Sequence, residues 1–134
     1  MQIRQLFFPA VLALLVLTSC KKDKPAPAAI SIEGNWVGKS SILSGPFVNH
    51  FSFKIKPNGV LERLDANGQK IGEGTWEFYS KNTAITGTYS LSAPPKETFS
   101  VIANFDKTTG KLDGTWGKGA NDYDGGYWFM NKTE

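Results

Sequence analysis

The sequence predicts an all-β fold, an eight-stranded antiparallel up-and-down barrel, and three observations support this. From Ile32 onward apolar and polar residues alternate with period two, no stretch shows a helical apolar stripe, and turn residues recur at short intervals. Short connections place consecutive strands side by side, and eight such strands can close without exposed edges. A β-sandwich of the same strands is the structural alternative.

Seven turns separate the predicted strands. Two of them contain the pairs Asn58-Gly59 and Asn67-Gly68, which can supply the positive φ angles that tight hairpins need. The predicted strands span residues 32–43, 47–56, 60–65, 69–79, 83–91, 96–106, 111–118 and 126–132.

Alternation also predicts which side chains point inward. It is clearest in the second strand, where Phe51, Phe53 and Ile55 share one face, and the sixth strand repeats this pattern. The eighth strand contains YWFMN, which is apolar on both faces, so its buried side stays open.

A glycine, a polar residue and an aromatic residue recur together on four strands. The strand period puts each glycine and its ring on one face, where a bare glycine allows a strong bend and leaves room for a ring on the next strand. The four copies are Gly34-Asn35-Trp36, Gly74-Thr75-Trp76, Gly87-Thr88-Tyr89 and Gly114-Thr115-Trp116. Inward rings either pack a core or line a ligand cavity. The candidate ligand-binding residues are Trp36, Phe53, Trp76, Tyr89, Phe105 and Trp116.

The amino terminus has the pattern of a signal peptide. Arg4 precedes an apolar run, residues 6–17, which as a helix would span roughly 18 Å and fall short of the ~30 Å hydrocarbon core of a bilayer. A cleaved segment over residues 1–19 therefore fits better than a transmembrane anchor. Cys20, the only cysteine of the chain, follows directly.

Leu17-Thr18-Ser19-Cys20 resembles a bacterial lipobox. The resemblance implies cleavage before Cys20 and attachment of diacylglycerol and palmitate-like chains to it, which would hold the protein to a membrane. The segment CKKDKPAPAA resembles the start of lipoproteins from the Bacteroidetes group. Lys21 stands where an aspartate would favour retention in the inner membrane, so the resemblance implies a cell-envelope protein on the outer membrane, with its facing side left open.

Three segments follow from this organisation: a signal peptide over 1–19, the lipidated cysteine with a flexible Pro-Ala tether over 20–30, and a barrel domain over 31–134. Removal of the signal peptide leaves 14 Lys and Arg against 12 Asp and Glu. A net charge of about +2 is too small to indicate nucleic acid as a partner.

The first strand, within IEGNWVG, resembles lipocalin-like and calycin-type barrels. That resemblance implies binding of a small hydrophobic or amphipathic ligand. About 103 residues from Ile32 to the end are few for a full-sized lipocalin, and bulky rings could fill the interior. The alternative is a non-enzymatic structural or protein-interaction lipoprotein of the envelope, with a filled core and a protein partner.

Catalytic and metal-binding patterns are weak. His50 is the only histidine, and it has no cysteine or second histidine to complete a transition-metal site. The loop from Gly119 to Trp128 has oxygen ligands for Ca²⁺ but lacks the length and closing glutamate of an EF-hand. The carboxylates lie mostly opposite the aromatic faces. We expect no enzymatic activity, no cofactor and no metal.

Overall fold

The computed structural model describes residues 24–133, and these form one closed antiparallel barrel. Each strand pairs with the next along the chain, and the eighth pairs with the first, so the predicted barrel is confirmed in place of the sandwich. The strands are β1 Gly34–Ser40, β2 Asn49–Lys56, β3 Val60–Leu64, β4 Lys70–Ser80, β5 Ala84–Leu91, β6 Thr98–Asp106, β7 Lys111–Lys118 and β8 Gly126–Thr133. A 3₁₀ turn, Pro57–Gly59, joins β2 to β3.

The predicted signal peptide and Cys20 lie outside the described residues. Residues 24–29 are exposed and have no regular secondary structure. Among the described residues no helix is long and apolar enough to cross a bilayer.

Alternate side chains of every strand meet in one core. Its members include Phe51, Phe53 and Ile55, as the alternation predicts. The structure also resolves the ambiguous eighth strand: Trp128 and Met130 are buried, whereas Tyr127 is 53% exposed on the outer wall. The barrel interior therefore holds an almost entirely apolar set of side chains.

Two of the turn predictions can be checked through backbone angles. Asn58 and Gly59 have φ of 63° and 74°, and Gly68 has φ of 78°. These left-handed conformations are what a tight turn demands of Asn-Gly pairs.

Two of the repeated glycines lie where the neighbouring strand comes very close to the backbone. A Cβ at Gly74 or Gly114 would collide with the carbonyl oxygen of Thr88 or Ile102 on the neighbouring strand. A residue paired with each of these glycines is nevertheless aromatic, as predicted: Tyr89 lies opposite Gly74, and Trp128 lies opposite Gly114. Glycine is required there for close strand approach.

The two ends of the barrel have different connections. Loops of five to eight residues join β1 to β2, β3 to β4, β5 to β6 and β7 to β8 at one end, which we call the mouth. Turns of three or four residues lie at the opposite, closed end. The chain enters at the closed end, where Ile30 N–H donates to the Lys107 carbonyl at 2.9 Å and Ile32 is buried.

Candidate ligand site at the barrel mouth

The centre of the barrel is filled by aromatic side chains. Trp36 and Phe53 have no exposed surface, and Phe105 is 7% exposed. Trp36 meets Phe105 edge to face with ring centroids 5.9 Å apart, and Phe53 meets Trp128 in the same way at 5.7 Å. Three of the six candidate ligand residues, Trp36, Phe53 and Phe105, are therefore placed as core.

The indoles of Trp76 and Trp116 lie at opposite ends of the barrel. Trp76 Nε1 donates to the Lys56 carbonyl at 2.8 Å at the closed end. Trp116 Nε1 donates to the Ser41 carbonyl at 2.9 Å at the mouth. Both rings are half-buried. The structure thus does not bring the six candidate residues together around one cavity.

A cavity of about 300 Å³ opens at the mouth. Residues near the mouth ends of seven strands line it. This volume is at the lower end of the range for small-molecule sites. The lining is mainly apolar, with Phe51, Ile71, Tyr89, Leu91, Phe99 and Trp116. Tyr89 and Trp116 are the two candidate residues that the cavity includes.

Aromatic rings form a continuous series from the core to the rim of this cavity. Phe53 contacts Tyr89 edge to face at 5.5 Å, Tyr89 stacks on Phe99 at 5.5 Å, and Phe99 contacts Trp116 at 6.0 Å. Tyr89 is buried, whereas Phe99 and Trp116 are half-exposed. An apolar molecule in the cavity would therefore extend an existing stack and not disrupt the core.

Arg63 is the charged residue of the cavity wall. It follows Leu61 on the inward face of β3, and its guanidinium carbon lies 4.6 Å from the centroid of the Phe51 ring. Its Nη1 donates to the carbonyl oxygens of Ser52, at 3.2 Å, and of Leu64. Its Nη2 donates to the His50 carbonyl at 3.1 Å. Cation–π contact and backbone dipoles hold this side chain in one place.

In the described part of the chain, no carboxylate forms an ion pair with Arg63. Within residues 24–133 the ion pairs shorter than 4.0 Å join other residues: Lys56 with Glu62, Lys70 with Glu73, and Lys118 with Glu97. Burial lowers the pKa of Arg63 from its ordinary value, and the neighbouring Tyr89 and the more distant Asp65 partly oppose this. The guanidinium keeps its proton, because arginine stays protonated in proteins. The mouth therefore carries a positive charge in an apolar setting.

Ser41 fixes the loop that borders the mouth. It is fully buried, and its Oγ donates to the Leu43 carbonyl at 3.0 Å and accepts from the Tyr127 amide at 3.1 Å. Its own carbonyl receives the Trp116 indole. One buried serine thus joins the β1–β2 loop, β8 and the rim indole. Ile42, beside it, is 64% exposed and reaches the cavity.

Grooves on the outer wall are larger but have fewer features of a binding site. One of about 480 Å³ runs over β6 and β7 beside Tyr79, and one of about 500 Å³ lies over β1 to β3. Both are surface depressions between outward side chains. The mouth, although smaller, combines stacked rings with a fixed charge.

The histidine considered for chemistry directs its side chain away from the mouth. The His50 side chain is on the outer wall, with Nε2 3.0 Å from the Ser52 hydroxyl. Across the part of the chain that the structure describes, no three His, Cys, Asp or Glu side chains are grouped so as to hold a metal ion.

Two important mouth residues, Arg63 and Ser41, are absent from the sequence-based candidates. Alternation in VLERL would have placed Arg63 on the same face as Leu61. Because arginine is rarely buried on a core face, this position could have indicated a functional residue. Ser41 carries no such signal, because its role depends on contacts with residues 86 positions away.

No protein-family profile, curated protein or solved structure significantly matches this chain.

Proposed function

We propose that this protein is a membrane-anchored, non-enzymatic lipoprotein whose lipocalin-like barrel binds a small hydrophobic or amphipathic molecule. The proposal rests on one observation: the cavity at the mouth, lined by rings and aliphatic side chains, with a charged group in its wall. The ligand would occupy the mouth and not the barrel centre, since rings fill the centre.

Burial of apolar surface is the expected source of affinity. Leu91, Ile71, Phe99 and Trp116 are only half-buried, so a ligand covering them removes apolar surface from water at about 25 cal/mol per Å². The cavity is already lined by packed side chains, which keeps the ordering cost of binding small. Micromolar affinity for a small molecule is within reach of such a site.

The anchor would be lipid on Cys20, with the tether between it and the barrel. Ile30 docks at the closed end, so the mouth would open away from the bilayer surface. Lys21, Lys22 and Lys24 would lie near anionic headgroups and add to the attachment. On this proposal the protein is held on the outer membrane with its binding site directed outward from the lipid.

The binding proposal can be tested in the Cys20→Ser chain, which cannot carry lipid at this position. Titration with small apolar probes, followed by tryptophan fluorescence and by the indole Nε1–H signal of Trp116 in NMR spectra, should give saturable binding. Leu91→Asp places a charge inside the mouth and should abolish it. Val37→Asp, on the outer wall where Val37 is 41% exposed, is the matched control and should bind normally. Equal behaviour of the two variants would contradict the proposal.

The anchoring proposal needs a separate experiment. Metabolic labelling with palmitate should mark the parent protein, and Cys20→Ser should lose the label. If the variant incorporates palmitate as the parent protein does, lipid on Cys20 is not the anchor.

A structural or protein-binding role is the second candidate, and a specific observation favours it. Next to the mouth, the β1–β2 loop exposes apolar side chains: Ile42 and Leu43 are each 64% exposed and Val48 is 69% exposed. Such a cluster is typical of contact surfaces. If Val48→Asp eliminates a cross-linked protein partner in cells while Leu91→Asp does not, this second function is the better description.

A further inference from the structure

Within residues 24–133 the charge on Arg63 has no ion-pair partner, although its surroundings hold the side chain closely. Of the five N–H groups of a guanidinium, three donate to backbone carbonyls of β2 and β3. Two N–H groups have no backbone acceptor in residues 24–133, and the Tyr89 hydroxyl lies close enough to hydrogen-bond the guanidinium. A guanidinium can bind both oxygens of one anionic group through two N–H groups.

Two other charged residues near the mouth, Asp65 and Lys39, are occupied or turned away. Asp65, on the loop after β3, raises the pKa of Arg63, but its Oδ1 accepts from the amides of Asn67 and Gln69, each at 2.9 Å. Lys39, on β1, points to the outer wall. The phenol of Tyr89 also faces Arg63, and because burial raises its pKa it stays neutral near pH 7.

A positive charge at this half-buried position lowers the stability of the fold unless it is compensated. A half-buried cation loses hydration, and a methionine or leucine would fill the same space without that loss. Here carbonyl dipoles and the face of Phe51 recover part of the loss, but they leave the charge itself unbalanced. The low dielectric of an apolar wall then makes an incoming anion bind more strongly than it would in water.

We propose that the mouth selects anionic amphiphiles, with a carboxylate bound to Arg63 and the apolar body lying along Tyr89, Phe99 and Trp116. This inference rests on the proposed ligand-binding function and adds the sign and position of the ligand's polar group. The head lies inward, over Phe51, and the apolar body extends toward the rim and Ile42. Neutral and cationic amphiphiles of the same length meet the same rings but lack the pairing.

Three probes of equal chain length separate charge from apolar contact: decanoate, decan-1-ol and decyltrimethylammonium. Each is titrated into the Cys20→Ser chain below its aggregation concentration, with the Trp116 indole and Arg63 Nε–H signals followed by NMR. Decanoate should bind at least about tenfold more tightly than decan-1-ol, the usual size of a hydrogen bond to a charged group. Decyltrimethylammonium should bind most weakly.

Variants then assign the preference to one residue. Arg63→Met should bring the affinity for decanoate down to that for decan-1-ol, while decan-1-ol binding is retained. Lys39→Met removes an equal charge from the outer wall and should keep the preference. Arg63→Lys keeps the charge without the planar fork and should keep a reduced preference. Its folding can be compared with Arg63→Met by the dispersion of the NMR spectrum.

The outcomes distinguish the two proposals. Equal affinity of the parent chain for decanoate and decan-1-ol, or an unchanged decanoate preference in Arg63→Met, overturns the anion inference but leaves the ligand-binding function standing. Failure of all three probes to shift the Trp116 signal overturns both.

Discussion

The closed end and the mouth of this barrel are built from the same residue pattern but differ in what they leave exposed. At the closed end, Trp36 and Trp76 donate their indole N–H groups to backbone carbonyls, and Ile32 completes the seal. At the mouth, Trp116 makes the same kind of hydrogen bond, yet its ring and Phe99 remain half-exposed around Arg63. The same glycine–aromatic motif thus closes one end of the barrel and borders the cavity at the other.

Strand direction explains much of this difference. On β4, which runs toward the closed end, the ring that follows Gly74 is directed to the seal. On β5 and β7, which run toward the mouth, the rings that follow Gly87 and Gly114 reach the cavity. When a glycine near mid-barrel is followed two residues later by an aromatic residue, the ring therefore lies toward whichever end its strand approaches.

The largest effect should come from the sealed region. Trp36→Ala removes a fully buried indole and its 2.7 Å hydrogen bond to the Ile32 carbonyl, and we expect the free energy of unfolding to fall by about 3–5 kcal/mol. Urea denaturation followed by circular dichroism measures the change. A loss below about 1 kcal/mol would mean that the closed end is not a packed core.

Trp116→Ala is the corresponding change at the mouth and should be milder for stability. Its ring is half-buried, so we expect a loss of about 1–2 kcal/mol, which includes the hydrogen bond to the Ser41 carbonyl. Probe binding at the mouth should nevertheless disappear. If Trp116→Ala destabilised the protein as much as Trp36→Ala, the two ends would not differ as the structure indicates.

The fold was predictable because alternation is a local property. The spacing of Phe51, Phe53 and Ile55 is enough to predict which face of β2 points inward. The pair Asn58-Gly59 is enough to predict a tight turn. The barrel then follows from short connections between antiparallel strands. The buried face of the eighth strand could not be predicted in this way, because Tyr127 and Phe129 are aromatic like the buried Trp128. Only pairing with β7 and β1 decides which face points inward.

The site was less predictable because it depends on which strand ends come together. Trp36 and Trp116 belong to the same motif, and the sequence does not reveal that one is sealed in the core while the other borders a cavity. The role of Arg63 can be read only once Phe51, on the neighbouring strand, lies beneath it and residues 24–133 offer it no paired carboxylate. These are contacts between strands, which a period-two pattern does not contain.

Arg63→Met should change stability less than either tryptophan substitution. Loss of three hydrogen bonds to carbonyls is offset by relief of a desolvated charge, so we expect the free energy of unfolding to change by no more than about 1 kcal/mol. Lys132→Met at the closed end, which removes a contact with the Ser31 carbonyl at 2.7 Å, provides the comparison. A large loss confined to Arg63→Met would show that the arginine is a structural element of the mouth.

The smallest effect concerns Tyr89 at alkaline pH. Burial raises the pKa of its phenol, and the nearby Arg63 lowers it by less. Unfolded tyrosine titrates near pH ~10, so above that pH the unfolded state has released a proton that the folded state retains. The stability contribution is therefore complete below pH ~10 and is lost as the pH rises through the folded pKa.

Urea denaturation between about pH 8 and pH 11 should accordingly show a decline in the free energy of unfolding that Tyr89→Phe makes shallower, by at most about 1.4 kcal/mol per pH unit. Tyr123→Phe is the control, because Tyr123 is 72% exposed. If Tyr123→Phe shallows the decline as much as Tyr89→Phe, the phenol at the mouth is no more shielded from water than one on the outer surface. The stacked series from Phe53 to Trp116 would then be accessible to water at Tyr89. The boundary between the half-exposed mouth rim and the packed core would lie deeper than the structure places it.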